Sequence, residues 1–243
     1  MRHQNYNKES RSRLAYERTR FPILSEVDHL KSPKTSSIRA IILDYGDVIS
    51  LPADPAVMSS MAALFGLPLD RFRQLYGFLR HDYDSGALHA TAYWNKIADA
   101  AGVQLDDDKL AHLRKADVTM WSRLNEPVLR WVDELREAGY KTAVLSNMHH
   151  DMVQRVLSNR AWAKRFDVLV LSSPLGMAKP QPEIFKYCLK ELNLKPHEAV
   201  FIDDREENVE AAIRVGIASI CAPSTHALVD LLDAIGFQPL PER

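Results

Sequence analysis

The sequence predicts an α/β fold: a Rossmann-like parallel sheet with helices on both faces and a small α-helical cap inserted after the first strand. Three observations carry the prediction. Residues 40–43 form a short apolar run rich in β-branched side chains, as a strand buried on both faces does. From Asn125 onward, strand-like runs alternate with stretches of helical period, the signature of a parallel sheet with right-handed crossovers. Between these two regions, residues 51–124 carry helical periodicity only. The 243 residues, 46% of them apolar, suffice for one core domain with an insert.

The elements follow in order. Residues 1–37 are polar and locally basic, and are expected to form a flexible extension. Glu9, Glu17, Glu26 and Asp28 interrupt the basic residues, which argues against an arm for nucleic acid. The first strand ends at Asp44. Helices are expected over 55–65, 69–79 and 91–101, the first and third stopped by Gly66 and Gly102. A fourth follows Asp106-Asp107-Asp108, whose carboxylates suit a helix N-terminus. Glu126-Pro127 opens the next helix and Gly139 ends it. Strands are then expected over 141–146, 167–172, 199–202 and 217–221, and helices over 151–157, 182–192, 206–215 and 226–235. The organisation is an extension (1–37), a core domain (38–50 and 125–243) and a helical cap (51–124).

Composition excludes several classes of function. A net charge of −1 gives no case for nucleic acid or an anionic membrane. Cys188 and Cys221 lack metal-like spacing and are expected to be reduced and buried. No apolar run is long enough to span a bilayer, and the N-terminus lacks a secretory apolar region, so a cytoplasmic protein is expected, as a monomer or homodimer.

Four strand ends carry polar residues of a telling kind: Asp44, Ser146-Asn147, the loop bearing Lys179, and Asp203-Asp204. Parallel strands bring such ends to one edge of the sheet, where open α/β sheets bind ligands. Each residue alone has an ordinary reading. A strand-end Asp caps a helix or turn, and a lysine between Ala and Pro is a loop residue. Together they suit Mg²⁺, which takes hard oxygen ligands, and a phosphoryl group, which a carboxylate attacks while Lys and a hydroxyl hold its oxygens.

In this order and context the chain resembles the haloacid dehalogenase superfamily. Asp44-Tyr-Gly-Asp-Val-Ile matches its first motif, VLSNM (144–148) the second, GMAKPQPEIF (176–185) the third and FIDDREENVEAA (201–212) the fourth. The resemblance covers about 39–237, and is nearest to the branch of sugar-phosphate phosphatases and the phosphatase domain joined to epoxide hydrolases. It implies a Mg²⁺-dependent hydrolase of a small phosphorylated metabolite, working through an aspartyl-phosphate. Asp44 would be nucleophile and metal ligand, Gly46 would give a backbone carbonyl to the metal, and Asp204 would be the second carboxylate ligand, supported by Asp203. Ser146, Asn147 and Lys179 would bind the phosphoryl oxygens, with Lys179 keeping Asp44 ionised. Asn208 stands where related members often have a further acid.

One position departs from the pattern. Phosphatases of this family carry a second Asp two residues after the nucleophile, as general acid and base. Here that position is Gly46, and Asp47 comes one residue later, turned away if the segment is extended and re-aimed if Gly46 makes a turn. The alternatives are a metal-independent 2-haloacid dehalogenase, in which Asp203-Asp204 lack a task, and a non-catalytic binding protein on the same fold. His149-His150 follow the second motif and either lie near the site or, on the favoured reading, start a solvated helix; His81, Asp82, Tyr83, Asp84 and His89 either face the substrate or, for most of them, form loop surface. Trp94, Trp121, Trp131 and Trp162 read as packing residues.

Overall fold

The computed structural model describes residues 38–158 and 161–242; the extension expected over 1–37 lies outside them. Strand β1 (Ala40–Leu43) is the middle of a five-stranded sheet ordered β3-β2-β1-β4-β5, with β2 Lys141–Ser146, β3 Val168–Leu171, β4 Ala199–Asp203 and β5 Ala218–Cys221. Every pairing is parallel, and β1 pairs Leu43 with Val144 on one side and with Ile202 on the other. The chain steps from β1 outward to β2 and β3, then returns to lay β4 and β5 on the opposite flank. The reversal falls between β1 and β4, the topological switch point at which sheets of this kind bind ligands.

Both faces of β1 are covered because its side chains alternate. Ile41 and Leu43 pack with helices α6 (Glu126–Glu137), α7 (His150–Ser158) and α11 (Thr225–Ala234). Ala40 and Ile42 face α9 (Pro182–Leu192) and α10 (Glu206–Val215). Ile41, Ile42 and Leu43 are fully buried, and each such side chain contributes about 1.5–3 kcal/mol. The strand that carries Asp44 is therefore rigidly held.

Between β1 and α6 come α1 (Pro55–Leu64), α2 (Leu69–Phe78), α3 (Arg80–Asp84), α4 (Ala90–Ala101) and α5 (Asp107–Met120). They share an apolar core of their own around Phe72, Tyr93, Trp94, Leu113 and Met120, all fully buried. Asp106 caps α5 by accepting a hydrogen bond from the Lys109 N–H, as its sequence suggests. Helix α3 was not expected, because Arg-His-Asp-Tyr-Asp has no apolar period. Ser172, expected at the end of a strand, instead starts the short helix α8 (Ser172–Leu175). Cys188 is buried as expected, but Cys221 is only half-buried, since it ends β5 beside the open edge of the sheet.

The helical insert is tied to the core at two places. Its entering and leaving segments pair antiparallel, with a bridge between Ser50 and Leu124 and a Leu51 N–H to Arg123 carbonyl bond of 2.8 Å. On its far side Arg114 forms two 2.7 Å hydrogen bonds with the Asp151 carboxylate, and Ser172 Oγ donates to the Asp84 carbonyl. Gly86 lies against α8 with φ +82°, and a Cβ there would sit 2.7 Å from the Ser173 carbonyl oxygen. Gly86→Ala is therefore expected to destabilise the protein by about 1–3 kcal/mol, read as a lower urea midpoint at unchanged slope. An unchanged midpoint would show that this contact is looser than the geometry indicates.

Candidate active site

The sheet brings Asp44, Ser146, Lys179, Asp203 and Asp204 together, as their strand-end positions predict. Asp44 follows β1, and its N–H bonds the Ile202 carbonyl at 2.9 Å, which extends the β1–β4 ladder by one residue. Ser146 and Asp203 are the last residues of β2 and β4. Lys179 is only 1% exposed, so it is not the solvated loop lysine its neighbours suggest. Its ammonium lies between two carboxylates, 2.7 Å from Asp44 Oδ1 and 2.6 Å from Asp203 Oδ2. Asn147 fixes the Lys179 backbone with a reciprocal pair of bonds. Its Oδ1 accepts from the Lys179 N–H, and its Nδ2 donates to the Lys179 carbonyl, each at 2.8 Å.

Asp203 spends its other contacts locally. It accepts from the Arg205 N–H at 2.8 Å and from Asn208 Nδ2 at 3.0 and 3.1 Å. Asn208, at the position where relatives often have an acid, thus serves as a donor to Asp203, while its own Oδ1 is buried and unpartnered. Asp204 is half-buried, and among the described residues no cationic side chain pairs with it. Carboxylate oxygens of Asp44, Asp203 and Asp204 lie within 4.8 Å of one another.

The electrostatics follow from this crowding. Burial, with the charges of Asp44, Asp203 and Asp47 adding to it, pushes Asp204 up to about 7. Burial also pushes Asp44 up to about 6, Lys179 pulling it down and Asp203 pushing it up. Lys179 thus favours the ionised form of Asp44, as the resemblance implies, while burial and the neighbouring Asp203 oppose it. Lys179 itself is pressed down by burial, but Asp203 and Asp44 outweigh this and leave it above its ordinary value.

After β1 the backbone makes a wide turn over Tyr45–Ile49, closed by the Ser50 N–H to Tyr45 carbonyl bond at 2.7 Å. Gly46 is extended, and Asp47 adopts φ +56°, a conformation that Asp tolerates better than most residues. This turn answers the question raised by the one-residue shift, because Asp47 lines the same cavity as Asp44 and Asp204. Burial raises the Asp47 carboxyl above its ordinary value.

The cavity, of about 170 Å³, is walled on the other side by the insert, through Tyr76, Arg80, Asp84 and Trp121. Sequence reasoning gives Arg80 no role, reads Trp121 as a packing residue and leaves Asp84 between substrate contact and loop surface. Asp84 and Tyr83 are buried rather than loop surface, whereas His81, Asp82 and His89 are exposed as expected. Trp121 lines the cavity and donates from Nε1 to the Tyr76 hydroxyl at 3.3 Å, while Trp94, Trp131 and Trp162 pack in the cores. His149 is 1% exposed and stacked on Tyr83 with centroids 4.5 Å apart. It is not a solvated helix start, because the insert covers it, and burial lowers its pKa to about 4. The ordinary exposed His150 beside it keeps to the expectation.

A family model described as haloacid dehalogenase-like hydrolase matches residues 38–216. The chain belongs to this family of hydrolases. A mouse protein named acyl-CoA dehydrogenase family member 10 is 36% identical over 113 residues, covering 45% of this chain and 10% of its own. Rat bifunctional epoxide hydrolase 2 is 25% identical over 228 residues, covering 85% of this chain and 40% of its own. The chain thus spans well under half of these two relatives. A D-ribitol-5-phosphate phosphatase of Bacteroides thetaiotaomicron is 26% identical over 191 residues, 74% of this chain and 89% of that one. A family enzyme from the same bacterium, solved with magnesium and inorganic phosphate, shares the fold with a TM-score of 0.62 at 23% identity, over 76% of this chain and 94% of its own. Among the described residues of this hydrolase no helix is long and apolar enough to cross a membrane.

The crowded carboxylates make a stability prediction. Asp204 ionises near its ordinary 3.8 when unfolded and near 7 when folded. The unfolded chain therefore loses this proton first, and the Asp204 contribution to stability falls as pH rises through that window, then levels off. Without divalent cations, Asp204→Asn is expected to melt higher than wild type, by a margin that grows from pH 4 to pH 7. Thermal denaturation in chelator across that range checks it, and a margin independent of pH would contradict it.

Proposed function

We propose that this hydrolase is a Mg²⁺-dependent phosphomonoesterase that acts on a small phosphorylated metabolite through an aspartyl-phosphate at Asp44. The observation that carries the reading is the charge balance of the site. Three carboxylates crowd within 4.8 Å, one lysine compensates two of them, and Asp204 has no cation of its own among the described residues. This set calls for a divalent cation with hard oxygen ligands, and the orphaned Asn208 Oδ1 adds an acceptor at the same wall. Asp44, Asp204 and the Gly46 carbonyl would hold Mg²⁺, and Asp203, whose oxygens already serve Lys179, Arg205 and Asn208, would back them. When bound, the cation neutralises phosphoryl charge and lowers the cost of bringing an anionic substrate to anionic groups.

The chain's own residues supply the rest. Ser146 at the end of β2, the Asn147 backbone just past it and Lys179 in the loop after α8 hold the phosphoryl oxygens. An Asp44 oxygen attacks phosphorus as the ester oxygen departs, and the departing oxygen takes a proton. Asp47, which lines the cavity and whose carboxyl burial raises, would give that proton. It then takes one from the water that attacks the aspartyl-phosphate, releasing phosphate and restoring Asp44. A cavity of about 170 Å³ suits a small metabolite. The phosphatase names of relatives such as the Bacteroides enzyme support the same reading.

The test is phosphate release from a panel of sugar phosphates, nucleotides and phospho-acids, with and without Mg²⁺. Activity is expected only with Mg²⁺, and Asp44→Asn is expected to lower kcat by at least about 10³-fold, as loss of a nucleophile does. No release from any compound, or an Asp44→Asn protein as active as wild type, would sink the proposal.

A further inference from the structure

A cleft of about 620 Å³ runs along the seam between the insert and the core, and it shares no lining residue with the cavity around Asp44. Its walls are one face of α5 and one face of α7. Lys115 and Thr119 stand four residues apart on α5, and Asp151 and Arg155 four apart on α7; residues at that spacing share a helix face. Arg114 and Ser122 complete the polar lining. Three cations therefore face one carboxylate, in a chain whose net charge is −1.

These cations are not equally engaged. Arg114 spends Nε and Nη2 on the Asp151 carboxylate, at 2.7 Å each, and this bridge pins α5 to α7. The charge of Asp151 is thereby taken up, and Arg114 holds its carboxyl below the ordinary range. Lys115 and Arg155 are both exposed, and among the described residues neither forms an ion pair. The Thr119 and Ser122 hydroxyls donate to the Lys115 and Val118 carbonyls at 2.8 and 2.6 Å, so recognition in the cleft falls to the cations. Two uncompensated positive charges, one on each side of the seam, repel each other and attract an anion between them.

We propose that this cleft binds a small phosphate-bearing anion, which clamps the insert to the core through Lys115 on one wall and Arg155 on the other. The Arg155 guanidinium matches phosphate oxygens as a fork, and the Lys115 ammonium adds a point charge. The volume exceeds what one phosphate fills and lies in the range of sites for small organic ligands. A ligand with more than one anionic group therefore uses both walls. The site is separate from the catalytic one. Around Asp44 the crowded carboxylates repel anions when no divalent cation is present, whereas the seam is cationic by itself. The proposal thus holds or falls independently of the phosphomonoesterase reading.

The experiment uses the full-length protein, freed of divalent cations on a chelating resin, with pyrophosphate as the probe. Binding is titrated by calorimetry at low salt, and melting temperatures are recorded beside it. One pyrophosphate per protein is expected to bind, more tightly than inorganic phosphate, and to raise the melting temperature. Arg155→Gln and Lys115→Gln are each expected to weaken binding about tenfold, the loss of one hydrogen bond between charged groups. The double variant is expected to lose both the binding and the thermal shift. Lys186→Gln removes an exposed cation of α9 outside the cleft, and is expected to bind as wild type does. All three positions are exposed, so the variants are expected to fold. Binding that survives in the double variant puts the anion elsewhere and overturns the assignment. Equal weakening by Lys186→Gln, which marks diffuse attraction, overturns it too, as does a wild-type protein that binds no pyrophosphate.

Discussion

A single buried ammonium organises this molecule's reactive edge. Lys179 lies between Asp44 and Asp203, which close adjacent strands of the sheet, and all three are nearly inaccessible. Burying any one of these charges alone is costly, and removing one member of a buried ionic pair typically costs about 3–5 kcal/mol. The arrangement persists because the sheet leaves little choice. Parallel pairing of Leu43 with Ile202 fixes the two carboxylates side by side, and Asn147 holds the Lys179 backbone from β2. The lysine does not neutralise the site, however. It leaves Asp204 uncompensated and both Asp44 and Asp204 above the ordinary carboxylate range. A protein with this edge is set up to gain from a cation that arrives from solvent.

The helical insert completes the site from above, with a different balance. Its Arg80 is fully engaged on one edge by Asp84 and Asp117, and the aromatic stack of Tyr93, Tyr83 and His149 leads down to the core side. The core half of the cavity carries the crowded carboxylates with Lys179, and the insert half carries Arg80 with its two carboxylate partners. The two halves are joined through Ser172, which touches both Asp84 and Met148.

The fold was largely legible in the sequence, because each strand of a buried parallel sheet reads as an apolar run and each helix as a period. The strand-end groups were legible for the same reason: a residue that ends a strand has its place set by the sheet. Side-chain direction in the turn was not. Whether Asp47 faces the cavity depends on one positive φ after Gly46, and nothing in Asp-Tyr-Gly-Asp-Val states it. The insert's contribution was also hidden. Arg80 and Asp84 on α3 and Asp117 on α5 resemble solvated helix residues until the aromatic core of the insert covers them. His149 misleads in the same way, since its burial is decided by Tyr83, distant in sequence. Lys179 became legible only through the motif around it, because Ala-Lys-Pro by itself describes a surface loop.

The claim at the centre of this mechanism is that Asp44 becomes covalently phosphorylated. The direct measurement is an acid-quenched single turnover with Mg²⁺, followed by mass spectrometry of the peptide that contains Asp44. Expected is one phosphoryl group on that aspartate, formed and lost at rates compatible with turnover and absent from Asp44→Asn protein. A phosphoryl group on another side chain, or full turnover with Asp44 unmodified at every quench time, would contradict it.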